Sequence, residues 1–522
     1  MMKARNFIKA NPLYLLLVSI LLCFFTMEIW CNIDYDFYHM VLSGEWIVEN
    51  KAIQYENTIF VEEGYKTIVQ QWLYCIPLYL SYSALGIVGV QLFVTIQFLA
   101  LAFMIYKLLV LFKIDKRTAV FVIAASMLVM GYVNCRPQMI SLILFYAQLY
   151  VLEKHRQTGK TSILYLLPLF TLLEINLHCT FWVFHFVFIL PYIVPCNKLF
   201  KAVFKRDVAA IEDTTVKIKP LIIPMLLMAA SLFINPYGID AITCLFFTSS
   251  LSLLSIVELQ PIVFISEFSI YILGGFIIIA VLYNKKKLTS TTLYTALGTS
   301  LLTALVTRNV LFYSIAVVFL FKDLFKDVDM QRFYNYLHSG KMMEKLSTAF
   351  SHKACAAVYA VGLLVALPCG SAAFAVKGAT ETDTCNTPLA AAEWLQENEP
   401  NLSSVRMFTE TNAGSYFVFK GVGKVYLEPK SEPYVERVNG KKDIIKEFVF
   451  ANQVGGSEAI HALIDEYDFD YLYVPFYLPV LQTALEANRN YECVFITETV
   501  TTLVDKDIPI YRIYKRIASD NA

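Results

Sequence analysis

The sequence predicts a polytopic α-helical membrane protein of about eleven transmembrane helices, followed by a C-terminal extracytoplasmic α/β domain. Three observations predict it. Apolar runs of roughly 20 residues, the length that crosses a bilayer, recur along positions 1–380. Clusters of lysine and arginine alternate between those runs as cytoplasmic loops do. From about residue 381 the composition reverts to that of a soluble domain of about 140 residues. The bulk numbers agree: the 522 residues are 57% hydrophobic and 16% charged, with a mean hydropathy of +0.55. Soluble domains run about 45–50% apolar and about 25% charged. The net charge is zero, which says nothing about partners; the basic residues are scattered at helix ends with no motif of a nucleic-acid reader, so nucleic acid is not expected as a partner.

Lys3, Arg5 and Lys9 place the N-terminus in the cytoplasm and send a first helix, about 12–31, outward. That run imitates a signal peptide. It carries Glu28-Ile29-Trp30 where a small-residue cleavage site would stand, so a retained helix is expected. The next basic cluster is Lys107, Lys113, Lys116 and Arg117, which leaves room for one crossing at about 87–112. Residues 70–86, with Pro77 inside, then form an interfacial helix. Further spans are expected at about 118–134, 138–152, 162–178, 181–195, 220–235, 267–284, 290–307, 309–321 and 354–376. The basic groups Lys154-His155-Arg156, the loop 198–219, Lys285-Lys286-Lys287 and the segment ending near Lys353 keep the alternation in step. The expected organisation is a transmembrane domain over 1–380, with a first outer loop at 32–86, and an outer domain over 381–522.

In the outer domain a helix is expected over 388–398, with Pro388 suited to its first turn. Strands follow at 405–408 and 424–427, separated by a Gly-rich turn region at 414–423. A helix over 457–467, a strand over 471–474, a helix over 478–488 and a closing hairpin of 493–504 with 510–514 complete it. The domain has no phosphate loop, no GxSxG and no metal-ligand spacing, so its expected work is to shape or bind substrate. The eleven cysteines include no CxxC pair. Most lie in apolar runs as small hydrophobes; Cys385 and Cys493 could both lie outside the membrane, but a disulfide between them is not expected.

The polar interruptions fall on one side. Asp34-Tyr35-Asp36-Phe37-Tyr38-His39, Arg136-Pro137-Gln138, Glu174/Asn176/His178, Asn235-Pro236-Tyr237-Gly238, Glu258-Leu259-Gln260 and Arg308-Asn309 all land at outward ends of spans. Ionisable groups at membrane depth are costly unless hydrated, paired or functional. The topology rule did not use these residues, and their convergence implies one water-accessible extracytoplasmic site.

These motifs resemble those of polytopic glycosyltransferases of the GT-C fold, closest to a bacterial branch with an acidic-aromatic-His motif followed by Gly-x-x-Ile. Here those are Asp36-Phe37-Tyr38-His39 and Gly44-Glu45-Trp46-Ile47. Arg136-Pro137-Gln138, Asn176-Leu177-His178, Asn235-Pro236-Tyr237-Gly238 and Arg308-Asn309 are similar to its signatures. So are Gly414-Ser415-Tyr416 and Val425-Tyr426-Leu427-Glu428-Pro429-Lys430 of the outer domain. The resemblance implies transfer of a sugar from a polyprenyl-phosphate donor to a glycan, lipid or protein acceptor outside the membrane. Gln70-Gln71-Trp72-Leu73 stands where His-Glu-Trp-Leu would be expected, which leaves a divalent cation as cofactor an open question. The short spacing from Asp36 to His39 sets Asp34 and Asp36 in competition for the catalytic role.

Such a transfer needs a base for the acceptor hydroxyl and positive charge for the departing phosphate. Asp34 or Asp36 is the candidate base, and the bland alternative is that they cap the following helix. Arg136 and Arg308 are the candidates for donor phosphate, because guanidinium pairs bidentately with phosphate oxygens. Their alternative is snorkelling to headgroups. His39, Glu174, Asn176, His178, Asn235 and Glu258 are the candidate substrate contacts. Glu174 and His178 share a helix face and could equally satisfy each other; His39 could equally be a packed histidine. The expected function is an inverting membrane glycosyltransferase. Its competitors are a transporter or flippase of lipid-linked intermediates and a non-catalytic glycan-binding or assembly protein.

Overall fold

The computed structural model describes residues 35–130, 135–195, 211–248, 288–325, 383–430, 432–497, 499–501 and 507–517, together with 18, 19, 26, 261, 361, 362, 365, 369, 370, 372 and 373. The chain divides into two compact units. One comprises Met1–Asn32, Gln91–Asn235 and Ile256–Ala379, the other Ile33–Val90, Pro236–Ser255 and Thr380–Ala522. The unit that holds the C-terminal residues therefore also takes in the first loop, a grouping that a single cut near residue 380 does not express.

The first unit is helical. Gln138–Thr158 starts after Pro137 and stops at Gly159, whose φ of 70° lets its N–H close back on the His155 carbonyl. His155 and Arg156 occupy its last turn, where positive charge suits the helix dipole. Leu167–Leu177 begins at a proline, and Tyr313–Phe325 is buried from Tyr313 to Leu324. Phe312 packs against Phe145 at 5.5 Å and Phe184 at 4.7 Å between ring centres, filling the core between them. Ser290–Leu305 is amphipathic with its faces reversed. Thr292, Thr295, Thr299 and Thr303 are buried, while Leu297, Leu301 and Leu305 are 57%, 61% and 55% exposed. A helix that turns hydroxyls inward and leucines outward is built for an apolar surrounding.

Trp72–Leu111, 40 residues, is long and apolar enough to cross a membrane. It is not continuous. Gly86 has φ 59° and ψ −146°, which breaks the helix at the boundary expected between the interfacial segment and the crossing. Helices also cover the described parts of the spans expected at 118–134, 138–152, 162–178, 220–235, 290–307 and 309–321. The span expected at 181–195 is interrupted, as a 3₁₀ turn Cys179–Phe181 followed by Trp182–Val187 and, past a break, Leu190–Ile193 with Pro191 inside. The segments at 12–31, 267–284 and 354–376 lie wholly or largely outside the described residues.

The second unit is built on a five-stranded mixed sheet. Its strands are β1 (Arg406–Phe408), β2 (Lys424–Val425), β3 (Tyr471–Pro475), β4 (Tyr491–Ile496) and, after a small hairpin of β5 (Thr499–Thr501) and β6 (Asp507–Pro509), β7 (Tyr511–Arg516). The order is β2-β1-β3-β7-β4, with β2, β1 and β3 parallel and β7 antiparallel to both of its neighbours. Every residue of β3 is buried, as befits a central strand covered on both faces. The helices Leu389–Asn398, Gly456–Tyr467 and Pro479–Ala487 stand where the sequence pattern places them.

One expectation fails here, one helix was not anticipated, and the disulfide that was not expected is absent. Gly414–Phe419 is a helix rather than a turn. Gly414 answers to close packing: a Cβ there would lie 1.8 Å from the Leu427 carbonyl oxygen. Ile444–Gln453 is a helix that the pattern reading passed over, although Asp443 caps it by accepting from the Lys446 N–H. Cys385 and Cys493 are both free thiols, and their sulfurs face the Ile510 and Phe495 carbonyls respectively.

The first loop is joined to this sheet through its backbone. The Val425 N–H donates to the Ile59 carbonyl at 2.8 Å, and the Val61 N–H donates back to the Val425 carbonyl at 3.2 Å. Phe60 inserts its ring beside Tyr65 and Tyr434 in the domain core. Residues 59–61 thus cover the β2 edge, which would otherwise present unpaired N–H and C=O groups. Asp36–Asn50 packs on Gly414–Phe419, with Tyr38 edge-on to Tyr416 at 4.9 Å.

Gly44 is the closest crossing of Asp36–Asn50, because a Cβ would meet the Cys75 carbonyl oxygen at 2.2 Å. Gly44→Ala is expected to destabilise by roughly 1–3 kcal/mol through overpacking. Gly298→Ala, at a position with nothing within 4 Å, is expected to be neutral or stabilising. Thermal melts of detergent-purified protein check both; equal melting temperatures for the two variants would refute the packing account.

Candidate functional site

The expected site residues fall into two groups, one in each unit. In the helical unit the structure brings Arg136, His178 and Arg308 together, since the charges of Arg308 and Arg136 both act on the His178 ring. Arg136 is 5% exposed, so it is enclosed by protein rather than extended toward headgroups, and the snorkelling alternative does not describe it. Gln138, from the same short motif, turns its amide oxygen to Arg308 and accepts from Nη2 at 2.8 Å and Nε at 3.2 Å. That two-point contact fixes the guanidinium plane. The neighbouring Asn309 ties Thr307–Phe312 to the preceding helix, its amide donating to the Leu302 carbonyl at 3.3 Å.

Glu174 lies at the centre of a buried network. The Ser141 hydroxyl donates to Glu174 Oε1 at 2.5 Å and lies 3.0 Å from His178 Nδ1. A hydroxyl has one hydrogen, so it accepts from an Nδ1–H of His178 while donating to the carboxylate. Glu174 Oε2 faces His185 Nε2 at 3.3 Å, and His185 Nδ1 faces Gln148 Oε1 at 2.5 Å. Glu174 and His178 are therefore coupled through Ser141, with their direct separation at 3.9 Å. Glu174 is a positioning group for His178, held among protein partners. Ser141, Gln148 and His185 were not singled out from the sequence, since a lone serine, glutamine or histidine in an apolar run gives no periodic signal.

Asn176 donates to the Leu172 carbonyl at 2.8 Å and to the Ile234 carbonyl at 3.0 Å, pinning the end of Lys219–Ser231 to its own helix. Asn235 donates to the Leu232 carbonyl at 2.7 Å. Both amides thus have a role in closing helix ends. Glu258 lies outside the described residues.

In the second unit Asp36 opens Asp36–Asn50 as its first residue. The N-cap is Tyr35, with no side-chain cap bond, so the capping alternative for Asp36 is not what the structure adopts. A carboxylate in the first turn is favoured by the helix dipole. Asp34 lies outside the described residues. His39 is buried, and the Gln71 amide nitrogen stands 3.1 Å from its Nε2. An amide N–H can only donate, so Nε2 accepts and the ring proton sits on Nδ1. The departure at Gln70-Gln71 thus lands on His39 itself, placing a neutral amide on its Nε2. Among the described residues no three His, Cys, Asp or Glu side chains converge to hold a metal ion.

Asn235-Pro236-Tyr237-Gly238 turns the chain with Gly238 at φ +56°. Beyond the turn, the Tyr237 hydroxyl donates to the Gln54 carbonyl at 2.9 Å and the Tyr55 hydroxyl to the Pro236 carbonyl at 2.8 Å. That motif is a clamp on the first loop. In the outer-domain motif Glu428 is buried with Lys430 at 3.7 Å and accepts from Ser415 at 3.1 Å. Burial holds the Glu428 carboxyl above its ordinary value, with Lys430 pulling the other way. Glu410 was not flagged by any sequence pattern. It is 5% exposed and accepts from the Asn412 and Ala413 N–H groups at 2.8 and 2.7 Å. Burial pushes its carboxyl up to about 7, with those N–H groups and the Tyr477 hydroxyl opposing the rise.

Solved structures match this fold over nearly the whole chain. The archaeal oligosaccharyltransferase AglB from Archaeoglobus fulgidus, in complex with an inhibitory peptide and a dolichol-phosphate, aligns with a TM-score of 0.54 at 11% identity, covering 98% of this chain and 74% of that one. Its apo form aligns with a TM-score of 0.53 at 12% identity, covering 98% and 75%. The arabinofuranosyltransferase AftD from Mycobacteria gives 0.48 at 11% identity, covering 97% and 40%, a likeness too slight to bear weight. No protein-family model and no curated protein matches. The chain has the GT-C fold.

Glu410 sets a pH dependence. Its folded value of about 7 lies above the ordinary 4.5, so the native state keeps a proton that the unfolded chain releases. Stability is greatest below about 4.5 and is lost as pH rises through about 7. Glu410→Gln removes this contribution, so the wild-type melting temperature is expected to fall relative to the variant between about pH 5 and about pH 8. A constant difference across that range would contradict the assignment.

Proposed function

We propose that the chain is a membrane-embedded glycosyltransferase that moves a sugar from a polyprenyl-phosphate donor to a glycan, lipid or protein acceptor at the outer surface. The observation that carries this reading is the pair of arginines beside His178, inside a helical unit that includes the reversed Ser290–Leu305 helix. The GT-C fold supports it. So does the dolichol-phosphate bound by the archaeal oligosaccharyltransferase of the same fold. In this reading the N-terminus is cytoplasmic, the sheet-bearing domain is extracytoplasmic, and the membrane lipids contact the outward leucines.

The chemistry is a single displacement. Asp34 or Asp36 takes the proton of an acceptor hydroxyl, whose oxygen bonds to the anomeric carbon as the bond to the phosphate oxygen breaks. The electron pair leaves with polyprenyl phosphate, and Arg136 and Arg308 meet the charge that develops there. Attack opposite the leaving group inverts the anomeric centre. Asp36 is suited to stay ionised for this role by its first-turn position. Ser141 and Glu174 hold the His178 ring, and Gln138 holds the Arg308 plane, so that these groups need little reordering during reaction.

Purified protein is to be assayed against a panel of polyprenyl-phosphate sugars with envelope glycan and lipid acceptors. The double change Asp34→Asn with Asp36→Asn is expected to lower transfer by about 10²–10⁴-fold. Arg308→Lys, which keeps the charge and loses the fork, is expected to lower it by about tenfold or more. If wild type and the double variant behave alike across the panel, the enzyme reading is lost.

A further inference from the structure

The sheet of the second unit is parallel across β2, β1 and β3, and open α/β sheets take ligands in the crevice beyond the carboxyl ends of such strands. Three segments leave those ends. β1 passes into Thr409-Glu410, β2 leads to Glu428-Pro429-Lys430, and β3 passes into Phe476-Tyr477. The first two are fastened together, because the Thr409 hydroxyl donates to the Leu427 carbonyl at 2.7 Å and the Leu427 N–H lies 3.3 Å from the same oxygen. The third brings the Tyr477 phenol close enough to the Glu410 carboxyl to act on it.

The groups gathered there are unequal in exposure. Glu410 is buried, whereas Phe476 is 51% and Tyr477 42% exposed, with their rings edge-to-face at 5.5 Å. The N–H groups of Asn412 and Ala413 account for where the carboxyl sits. They do not account for two large rings left open at the end of the most buried strand of the sheet. An aromatic face beside a carboxyl and a phenol matches a sugar ring, whose C–H face is apolar and whose rim is hydroxyl. Lys430 is paired with Glu428 at 3.7 Å, so this cation does not call for an acidic sugar. Tyr35 acts electrostatically on Tyr477, which places this crevice beside the segment that begins Asp36–Asn50.

We propose that Glu410, Phe476 and Tyr477 form a binding subsite for a neutral hydroxylated saccharide, the ring of the acceptor glycan. Its identification as the acceptor rests on the glycosyltransferase reading; the binding of saccharide does not. The rings stack on the C–H face, and the carboxyl and phenol bond the hydroxyls. A carboxyl that titrates near neutrality can serve a sugar hydroxyl as acceptor or, protonated, as donor.

The test uses the full chain in nanodiscs and saturation-transfer NMR with maltotriose, cellotriose, chitotriose and mannotriose as soluble probes. At least one probe is expected to receive saturation, strongest at its ring C–H protons. Its affinity is expected to fall about tenfold or more in Phe476→Ala and in Tyr477→Phe, with melting temperatures unchanged. Glu410→Gln is the second variant, expected to weaken binding without abolishing the fold. The proposal is overturned if no probe is saturated, or if the aromatic variants bind as wild type does. Because this readout needs no transfer, loss of the enzyme reading would leave a positive binding result standing, and a negative one here would leave the transfer comparison intact.

Discussion

The structure depends on one constraint: a polar group enclosed in an apolar surrounding must find its partners within the protein. The helical unit is arranged around that cost. Ser290–Leu305 turns its threonines inward, where Thr299 and Thr303 bond backbone carbonyls of their own helix, and gives its leucines to the surroundings. Glu174 is surrounded by Ser141, His178 and His185. Arg308 is met by the Gln138 amide. These contacts hold the His178 ring and the Arg308 guanidinium among partners inside the protein.

In the second unit the same economy takes another form. The acidic-aromatic motif is half packing: Tyr38 docks Asp36–Asn50 on the C-terminal domain, Phe37 packs edge-on to Tyr82, and Gly44 lets that helix approach the backbone at Cys75. The clamp by Pro236 and Tyr237 and the edge strand at 59–61 hold the loop from two further directions. The loop is thus tied by backbone hydrogen bonds at one end and ring contacts at the other.

Much of this was legible in the sequence. Apolar runs and loop charge together located the break at Gly86 and most of the described helices of the first unit, because span length and loop charge are local properties. Arg136, His178 and Arg308 each stood out in the sequence as polar interruptions of apolar runs, and both arginines act on the His178 ring. What was not legible depended on contacts between distant positions. Nothing near Phe60 announces that it pairs with Val425, nothing near Gln71 announces His39, and Glu410 has no local pattern at all. Gly414 misled for a related reason: a glycine needed for close packing reads, in a single sequence, like a glycine needed for a turn.

The account stands or falls on where the donor headgroup lies. The decisive measurement is an electron cryomicroscopy structure of the full chain with a non-hydrolysable polyprenyl-phosphonate sugar. The account predicts phosphonate density within hydrogen-bond distance of Arg308 or Arg136. A headgroup seated instead among Thr289, Lys322 and Asp323, the buried polar group at the other end of Ser290–Leu305, would contradict it.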